Sequence, residues 1–504
     1  MSRDPGQGVG GSPATVVSPL FATHRWPLAV IVVGFAASRL AYRAMGVRFD
    51  ASPLGRFWQF IDPELLRERL VESLIHLHAQ PPLFNAYLGA VLKLFPDREA
   101  AAFAITYAAV GLALAVSLYL VMAGLGTSRA LSLALTMAFV VSPPAVLYEN
   151  WLFYAYPVAT LLCVAAVLLR RCAVTGGWVA TLALFAVLVK VALTWGLFHP
   201  LWYVLIWLAL VVLAGGSRRR WLVAGAVPLT VLVAWQVKDL ALPESPGSGT
   251  WVGMNVARMT TFLLPRSERE RMVAAGSLSE VALVPPFSPP EDYRTMFPTV
   301  EETGVPVLDR ERKSGGAVNF HHARYVEIGR RYLGDARVVL REHPTAYLHG
   351  LSLSYAIAFF PASDSPFLLE NRRRIRGPDV AFSRACGQVR YAPESSVEAL
   401  PRQTPARRLL GVGWVLVLAY GTGVAYGIAR ASTDLFGRRP DRVRGMVTGF
   451  LVFNVLWVLV VGNALELGEN NRFRFAVDPL CLALLGRLID ERVRLWRSSG
   501  AQRG

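Results

Sequence analysis

Four short stretches of this chain combine residue types that move protons or capture anions. Asp50, in Val47-Arg48-Phe49-Asp50-Ala51, stands just beyond the first long apolar run. A carboxylate there lies at headgroup depth, and partial burial would lift its pKa toward that of a working general base. A solvated loop acid or a helix cap is the plainer alternative. Glu149, in Tyr148-Glu149-Asn150-Trp151-Leu152-Phe153-Tyr154-Ala155-Tyr156, occupies a short turn flanked by Tyr154 and Tyr156. It cannot swing far from the membrane surface, although the rings alone would suit an ordinary interfacial belt. His76-Leu77-His78-Ala79-Gln80-Pro81-Pro82 offers imidazoles and an amide for a divalent metal or a phosphate. A spacing of two on a helix sends the His76 and His78 rings to different faces, so His78, nearest the Pro-Pro turn, is the better candidate.

The fourth stretch is Glu466-Leu467-Gly468-Glu469-Asn470-Asn471-Arg472-Phe473-Arg474-Phe475. Arg472 and Arg474 are guanidinium groups suited to bidentate capture of phosphate, with snorkelling anchors as the alternative. Within apolar runs, Arg39, Arg43 and Lys190 each cost roughly 2.5–3.5 kcal/mol at a central position on insertion scales. Arg39 and Arg43 are one turn apart, so both are expected to face a polar interior or an acidic partner, and His199 could join them.

The elements that must hold these residues are membrane spans. Hydrophobic residues make up 54% of 504 and the mean hydropathy is +0.40, with apolar runs near the ~20 residues that cross ~30 Å of hydrocarbon. Ten spans fit, at about 26–46, 101–124, 130–148, 152–171, 177–198, 200–216, 221–240, 409–429, 444–463 and 475–489. The first follows a Gly/Pro/Ser-rich tail (1–25) without a small-residue cleavage site, and reads as a retained span.

With the N-terminus inside, the clusters at Arg129, Arg170/Arg171, Arg218 to Arg220, Arg438 to Arg442 and the tail 490–504 all fall on the cytoplasmic side. The turns at Asn150 and His199 fall outside and carry no Lys or Arg, which leaves the Arg472 turn as the one short outer turn with arginines. Counting 345–361 as an eleventh span would reverse the Arg438 cluster, so it reads as re-entrant or surface-lying within a long external region, 241–408. The chain thus divides into a transmembrane module, 26–240, that external region, and C-terminal spans within 409–489. In the first outer loop, 47–100, Leu65, Leu66, Leu70, Leu74 and Leu77 recur at helical spacing, predicting an interfacial helix, with a second over 83–95.

A net charge of +17 would suit nucleic acid, but arginines clustered between apolar runs are explained by lipid instead. Cys163 and Cys481 lie in apolar runs, Cys172 beside Arg170 and Arg171, and Cys386 alone outside, which excludes an external disulfide framework. The chain has no GxxxxGK[ST], HExxH or CxxC motif.

The order of features, a span, an acid just outside it, interfacial helices with a Gln-Pro-Pro turn, then a second outer acid, resembles the C-type (GT-C) glycosyltransferase superfamily. It is most similar to bacterial membrane proteins of the protein O-mannosyltransferase and lipid A aminoarabinose transferase kind. The resemblance runs from Trp26 to about His199 and returns at Arg472. It implies an all-α polytopic fold in a bacterial inner membrane, working on the periplasmic side with a polyprenyl-phosphate sugar donor and a lipid, glycan or protein acceptor.

By position, the resemblance makes Asp50 the base and Glu149 the second acid, and sets His78 and Gln80 beside a Mg or Mn ion or the donor phosphate. Arg472 and Arg474 would lie near the lipid phosphate. Many relatives carry Asp-Glu where this chain has Asp50-Ala51, and Asp62 could stand in for the second acid. Lys190 and His199 are further cations for the leaving phosphate, and one base without a nucleophile implies inversion at the anomeric carbon. A transporter or lipid flippase is the competing reading, though it would favour midplane charges and internal repeats. A non-catalytic scaffold using 241–408 is a third.

Overall fold

The computed structural model describes residues 24–213, 218–241, 250–297, 302–400 and 403–501. Most of the expected tail 1–25, the end of the expected span 200–216, the first residues of the external region and the last of the 490–504 tail lie outside the described residues. Those described are helical, with two isolated bridges and no strand. Among the described residues six helices are long and apolar enough to cross a membrane: Arg25–Ala44, Glu99–Gly124, Ala155–Thr175, Arg218–Lys238, Trp414–Phe436 and Arg442–Leu465. The chain is an integral membrane protein.

The count differs from ten for local reasons. The run expected to span 130–148 forms Arg129–Val140 and Pro143–Glu149, bent by 58°. Pro143 and Pro144 start the second piece, since a proline lacks the N–H that would continue the first. Trp178–Thr194 and Pro200–Leu213 are apolar but shorter. The last helix, Asp478–Ala501, buries apolar residues at its start but carries Arg487, Asp490 and Glu491 in its middle, so it does not meet the same standard.

The membrane helices pack side by side. Ala155–Thr175 lies against Glu99–Gly124, Trp178–Thr194 and Arg442–Trp457, and Trp414–Phe436 lies against Arg442–Trp457 and Asp478–Ala501. All four cysteines are free and buried. In the first loop the expected long interfacial helix is broken into Pro63–Glu68 and Leu70–Ile75, hinged at Arg69 with φ −125° and ψ 41°. Its apolar face is turned into the protein: Leu65, Leu66 and Leu77 are fully buried and Leu70 and Leu74 pack on the same core. The second helix, Leu83–Leu94, falls where expected.

The external helices Trp251–Met259 and Arg324–Glu342 meet so closely that a Cβ on Gly253 would lie 1.9 Å from the Gly329 carbonyl oxygen. Only glycine permits that backbone approach. This layer is fastened to the first loop through specific polar contacts. Asp62, buried, accepts from the Ser314 amide at 2.8 Å and the Ser314 hydroxyl at 2.6 Å, and Lys313 Nζ donates to the Phe57 carbonyl at 2.6 Å. Asp62 is therefore a tie between layers and a helix cap, bonding the Glu64 amide. Residues 344–358 form a helix, Pro344–Ala358, only ~22 Å long at 1.5 Å per residue and thus short of the ~30 Å hydrocarbon core. It packs on Trp251–Met259, Arg324–Glu342 and Asn470–Phe475.

Candidate functional site

A cavity of about 250 Å³ opens at the end of the helix bundle that the arginine pattern places outside. Trp58, Trp195, Trp235 and Trp251 supply apolar walls, and His78, Gln80, His199, Arg258, Glu466, Glu469 and Arg472 supply polar ones. The first loop, the turn 195–200, the external helix Trp251–Met259 and the turn 462–473 thus converge on one space.

Arg472 is the most constrained of these groups. The helix carrying it, Asn470–Phe475, follows a π-helical turn, Val458–Gly462, and a last turn, Asn463–Leu465. A π-turn inside a helix is an irregularity that proteins retain mainly at functional sites. Two asparagines then fix the next turn. Asn470 Nδ2 donates to Asn463 Oδ1 and to the Glu466 carbonyl, both at 2.9 Å, and Asn471 Nδ2 donates to the Asp364 carbonyl at 2.7 Å. Gly468 takes φ +134°, a conformation that favours glycine, and its position lies beside Arg258 Nη2.

The Arg472 side chain is 3% exposed. Its guanidinium carbon lies 4.5 Å from the Phe153 ring centroid, 5.0 Å from Phe473, 5.3 Å from Trp195 and 5.5 Å from Tyr154, a cage of π faces that suits a cation. Burial works against its charge, but its ion pair with Glu469 together with the hydroxyls of Tyr154 and Tyr148 holds the pKa above the ordinary arginine value. Apart from the Tyr154 hydroxyl beside the guanidinium, Nε and Nη1 have no hydrogen-bond partner among the described residues. Unpaired buried N–H groups on a cation are costly unless a ligand completes them.

Arg258 and Glu466 form a second pair, 3.5 Å apart. Burial pushes the Glu466 carboxyl up to about 7, against the pull of Arg258. Tyr154, also at the cavity, is buried and raised to about 12, mainly by desolvation.

The structure separates the sequence candidates into two sets. His78, Gln80, Tyr154, His199 and Arg472 line the cavity. Asp50, Glu149, Tyr156, Arg39, Arg43, Lys190 and Arg474 do not. Asp50 is a turn acid: Oδ1 accepts from the Ser52 amide at 2.9 Å, Oδ2 lies 3.9 Å from Arg56, and its backbone pairs with the strand-like turn at Asn150 and Leu152. Glu149 is buried against Arg39, whose Nε donates to Oε1 at 2.9 Å, and the Tyr156 hydroxyl donates to Oε2 at 2.9 Å. The charge expected to need an acidic partner is therefore Arg39, while Arg43 is exposed. Lys190 is exposed on its helix. Arg474 turns the other way, 3.2 Å from Asp478, and Nη2 donates to the Phe360 carbonyl at 3.2 Å.

His78 does not fit a metal. Nε2 lies 3.0 Å from the His321 carbonyl, which can only accept, so Nε2 carries the proton and Nδ1 accepts from the Thr250 hydroxyl at 3.0 Å. Burial pulls its pKa down to about 4, so both nitrogens are committed and the ring stays neutral. Among the described residues no group of three or more His, Cys, Asp and Glu side chains could hold a metal ion. The donor set around His78 and Gln80 is thus that of a neutral polar wall. Arg258, Glu466 and Trp58 are among the cavity residues that sequence reasoning missed, with Glu469, Trp195, Trp235 and Trp251. Glu466 stands in the same stretch as Arg472, whereas nothing around Arg258 distinguishes it from an exposed helical arginine.

No protein-family model matches the chain, and no curated protein matches it. Among solved structures it is similar to the oligosaccharyltransferase of Archaeoglobus fulgidus. In the apo form the identity is 14% and the TM-score 0.41, over 97% of this chain and 53% of that one. In the form tethered by a disulfide to an acceptor peptide containing the NVT sequon they are 12% and 0.39, over 95% and 51%. The chain spans about half the length of those structures.

Proposed function

We propose that this chain is a membrane glycosyltransferase, moving a sugar from a polyprenyl-phosphate donor to a lipid, glycan or protein acceptor at the outer face of a bacterial inner membrane. The observation that carries this reading is Arg472, a caged and buried cation with two unsatisfied nitrogens, Nε and Nη1, at the wall of an aromatic-lined cavity where helices end. A phosphate attached to an apolar tail and a sugar has the matching chemistry. Its anion would complete the Arg472 donors, its sugar would meet indoles and the amide of Gln80, and its tail would run out along the helices beside Trp235 and Leu232.

As the anomeric C–O bond breaks, negative charge grows on the phosphate, and a preorganised guanidinium in a water-poor site stabilises that charge more than water would. The reading is a single displacement with inversion, in which the acceptor atom itself attacks the anomeric carbon. No step is routed through a metal. Asp50, the base by resemblance, lies outside the cavity lining.

Purified protein in liposomes, supplied with a panel of polyprenyl-phosphate sugars, is expected to release free polyprenyl phosphate from at least one donor. Absence of release with every donor, in the presence of hydroxyl and amine acceptors, would count against the reading and for a transporter or scaffold.

A further inference from the structure

The cavity holds an acid, Glu466, to which sequence reasoning assigned no role. Glu466 lies six residues before Arg472, at the end of the last turn Asn463–Leu465, and its carboxylate borders the same space. Its backbone is fixed, because Asn470 Nδ2 donates to its carbonyl at 2.9 Å and the Tyr347 hydroxyl donates at 3.1 Å to the carbonyl of neighbouring Ala464. Its ion pair with Arg258 is a long one, at 3.5 Å, and its side chain keeps 16% exposure at the cavity wall. Glu469, by contrast, is spent on Arg472. Asp50 and Glu149, the acids singled out from the sequence, are bonded to protein groups away from the cavity.

We infer that Glu466 is the group that takes the proton from the acceptor, with Arg258 as the positioning residue that orients its carboxylate. This rests on the glycosyltransferase reading above and names a proton acceptor for it. In the step, the acceptor O–H or N–H gives its proton to a Glu466 oxygen while the acceptor atom forms a bond to the anomeric carbon. The bond from that carbon to the phosphate oxygen breaks, its electron pair stays on the phosphate, and Arg472 faces the charge that results. The proton then leaves Glu466 to water.

The charged and titratable groups around Glu466 come from several elements: Arg258 from the external helix, Tyr154 from the turn before Ala155–Thr175, and Glu469 and Arg472 from its own turn. His78 and His199 are the other titratable groups of the cavity wall. Burial and Glu469 raise the carboxyl, Arg258 and Arg472 lower it, and the balance near 7 leaves a base that is half ionised at neutral pH. A base of that strength is matched to its working pH.

The test uses the full chain in liposomes and compares wild type with Glu466→Gln, Glu466→Asp and Asp50→Asn. Binding of unmodified polyprenyl phosphate and release of polyprenyl phosphate from the sugar donor are both measured as functions of pH. Wild-type turnover should rise with pH through about 7, the value at which the carboxyl ionises. Glu466→Gln should bind polyprenyl phosphate as wild type does, lose turnover by roughly 10²–10⁴-fold, the range for general-base catalysis, and lose the rising limb. Glu466→Asp should keep the limb at a lower rate. Glu466→Gln turnover near wild type with the limb intact, or a limb abolished by Asp50→Asn instead, overturns the inference. Failure of the functional reading shows differently, as a wild type that neither binds polyprenyl phosphate nor cleaves any donor.

Discussion

Replacing Arg472 with Gln is expected to lower donor turnover by roughly 10²–10³-fold, the equivalent of about 2.7–4 kcal/mol of transition-state stabilisation, as for loss of one preorganised donor at a developing anion. The amide keeps some hydrogen bonding but not the charge, and the ring cage of Phe153, Tyr154, Trp195 and Phe473 was built around a cation. Arg472→Lys should recover little. A lysine's single ammonium cannot present donors at both the Nε and Nη1 positions while still reaching Glu469. Initial rates with one donor, normalised to protein that binds detergent micelles as a monodisperse species, check this. Arg474→Gln is the control: its Nε and Nη1 also lack hydrogen bonds among the described residues, but its guanidinium lies outside the cavity, against Asp478 and the Phe360 carbonyl, so its effect should appear in thermal stability rather than in donor affinity.

The second large effect is on stability and concerns Glu149. The carboxylate is 4% exposed and tied to Arg39 and the Tyr156 hydroxyl. Glu149→Leu would leave the largely covered Arg39 guanidinium, 15% exposed, without its counter-charge, and breaking one side of a buried pair costs up to roughly 3–5 kcal/mol. The double variant Arg39→Met, Glu149→Leu should regain most of that loss, because apolar replacement of a whole buried pair is near neutral. What it does not regain is the bond made by the Tyr156 hydroxyl. Thermal midpoints in detergent distinguish the outcomes. A Glu149→Leu protein as stable as wild type but inactive would restore Glu149 to the chemistry.

These two arginines also show what could be read in advance. Arg472 stood out because a basic residue in a short outer turn breaks the charge pattern of the rest of the chain, and burial in the cavity is the structural counterpart of that anomaly. His78, Gln80, Tyr154 and His199 were legible for a related reason: helix ends and proline turns restrict where a side chain can point, and here those ends converge. Asp50 and Glu149 were read from their distance beyond a span. That distance fixes depth in the membrane but not direction, and the local Ser52 amide and the Arg39 guanidinium decide the direction instead.

The fold was legible where apolar runs were long and uninterrupted. It was less so where prolines bend a run, as at Pro143, or where charges interrupt one, as in Asp478–Ala501. The first-loop helix was recognisable from its leucines, but the break at Arg69 and the inward turn of Leu65 and Leu66 come from packing against helices distant in sequence. Arg258 was invisible for the same reason, since its significance lies in a neighbour, Glu466, contributed by another part of the chain.

The central claim is that the polyprenyl phosphate seats its anion on Arg472 inside the cavity. A photoreactive polyprenyl phosphate with a diazirine on the first isoprene unit, irradiated with the protein in liposomes, tests it most directly. Labelled peptides should come from the cavity wall, around Trp195 to Pro200, Leu232 to Gln236 or Gly462 to Phe473, and Arg472→Gln should abolish the labelling. Labelling that instead falls around Ala51 to Gly55 and Asp97 to Ala101, the shallow hollow beside Asp50, or that persists undiminished in Arg472→Gln, would contradict the account.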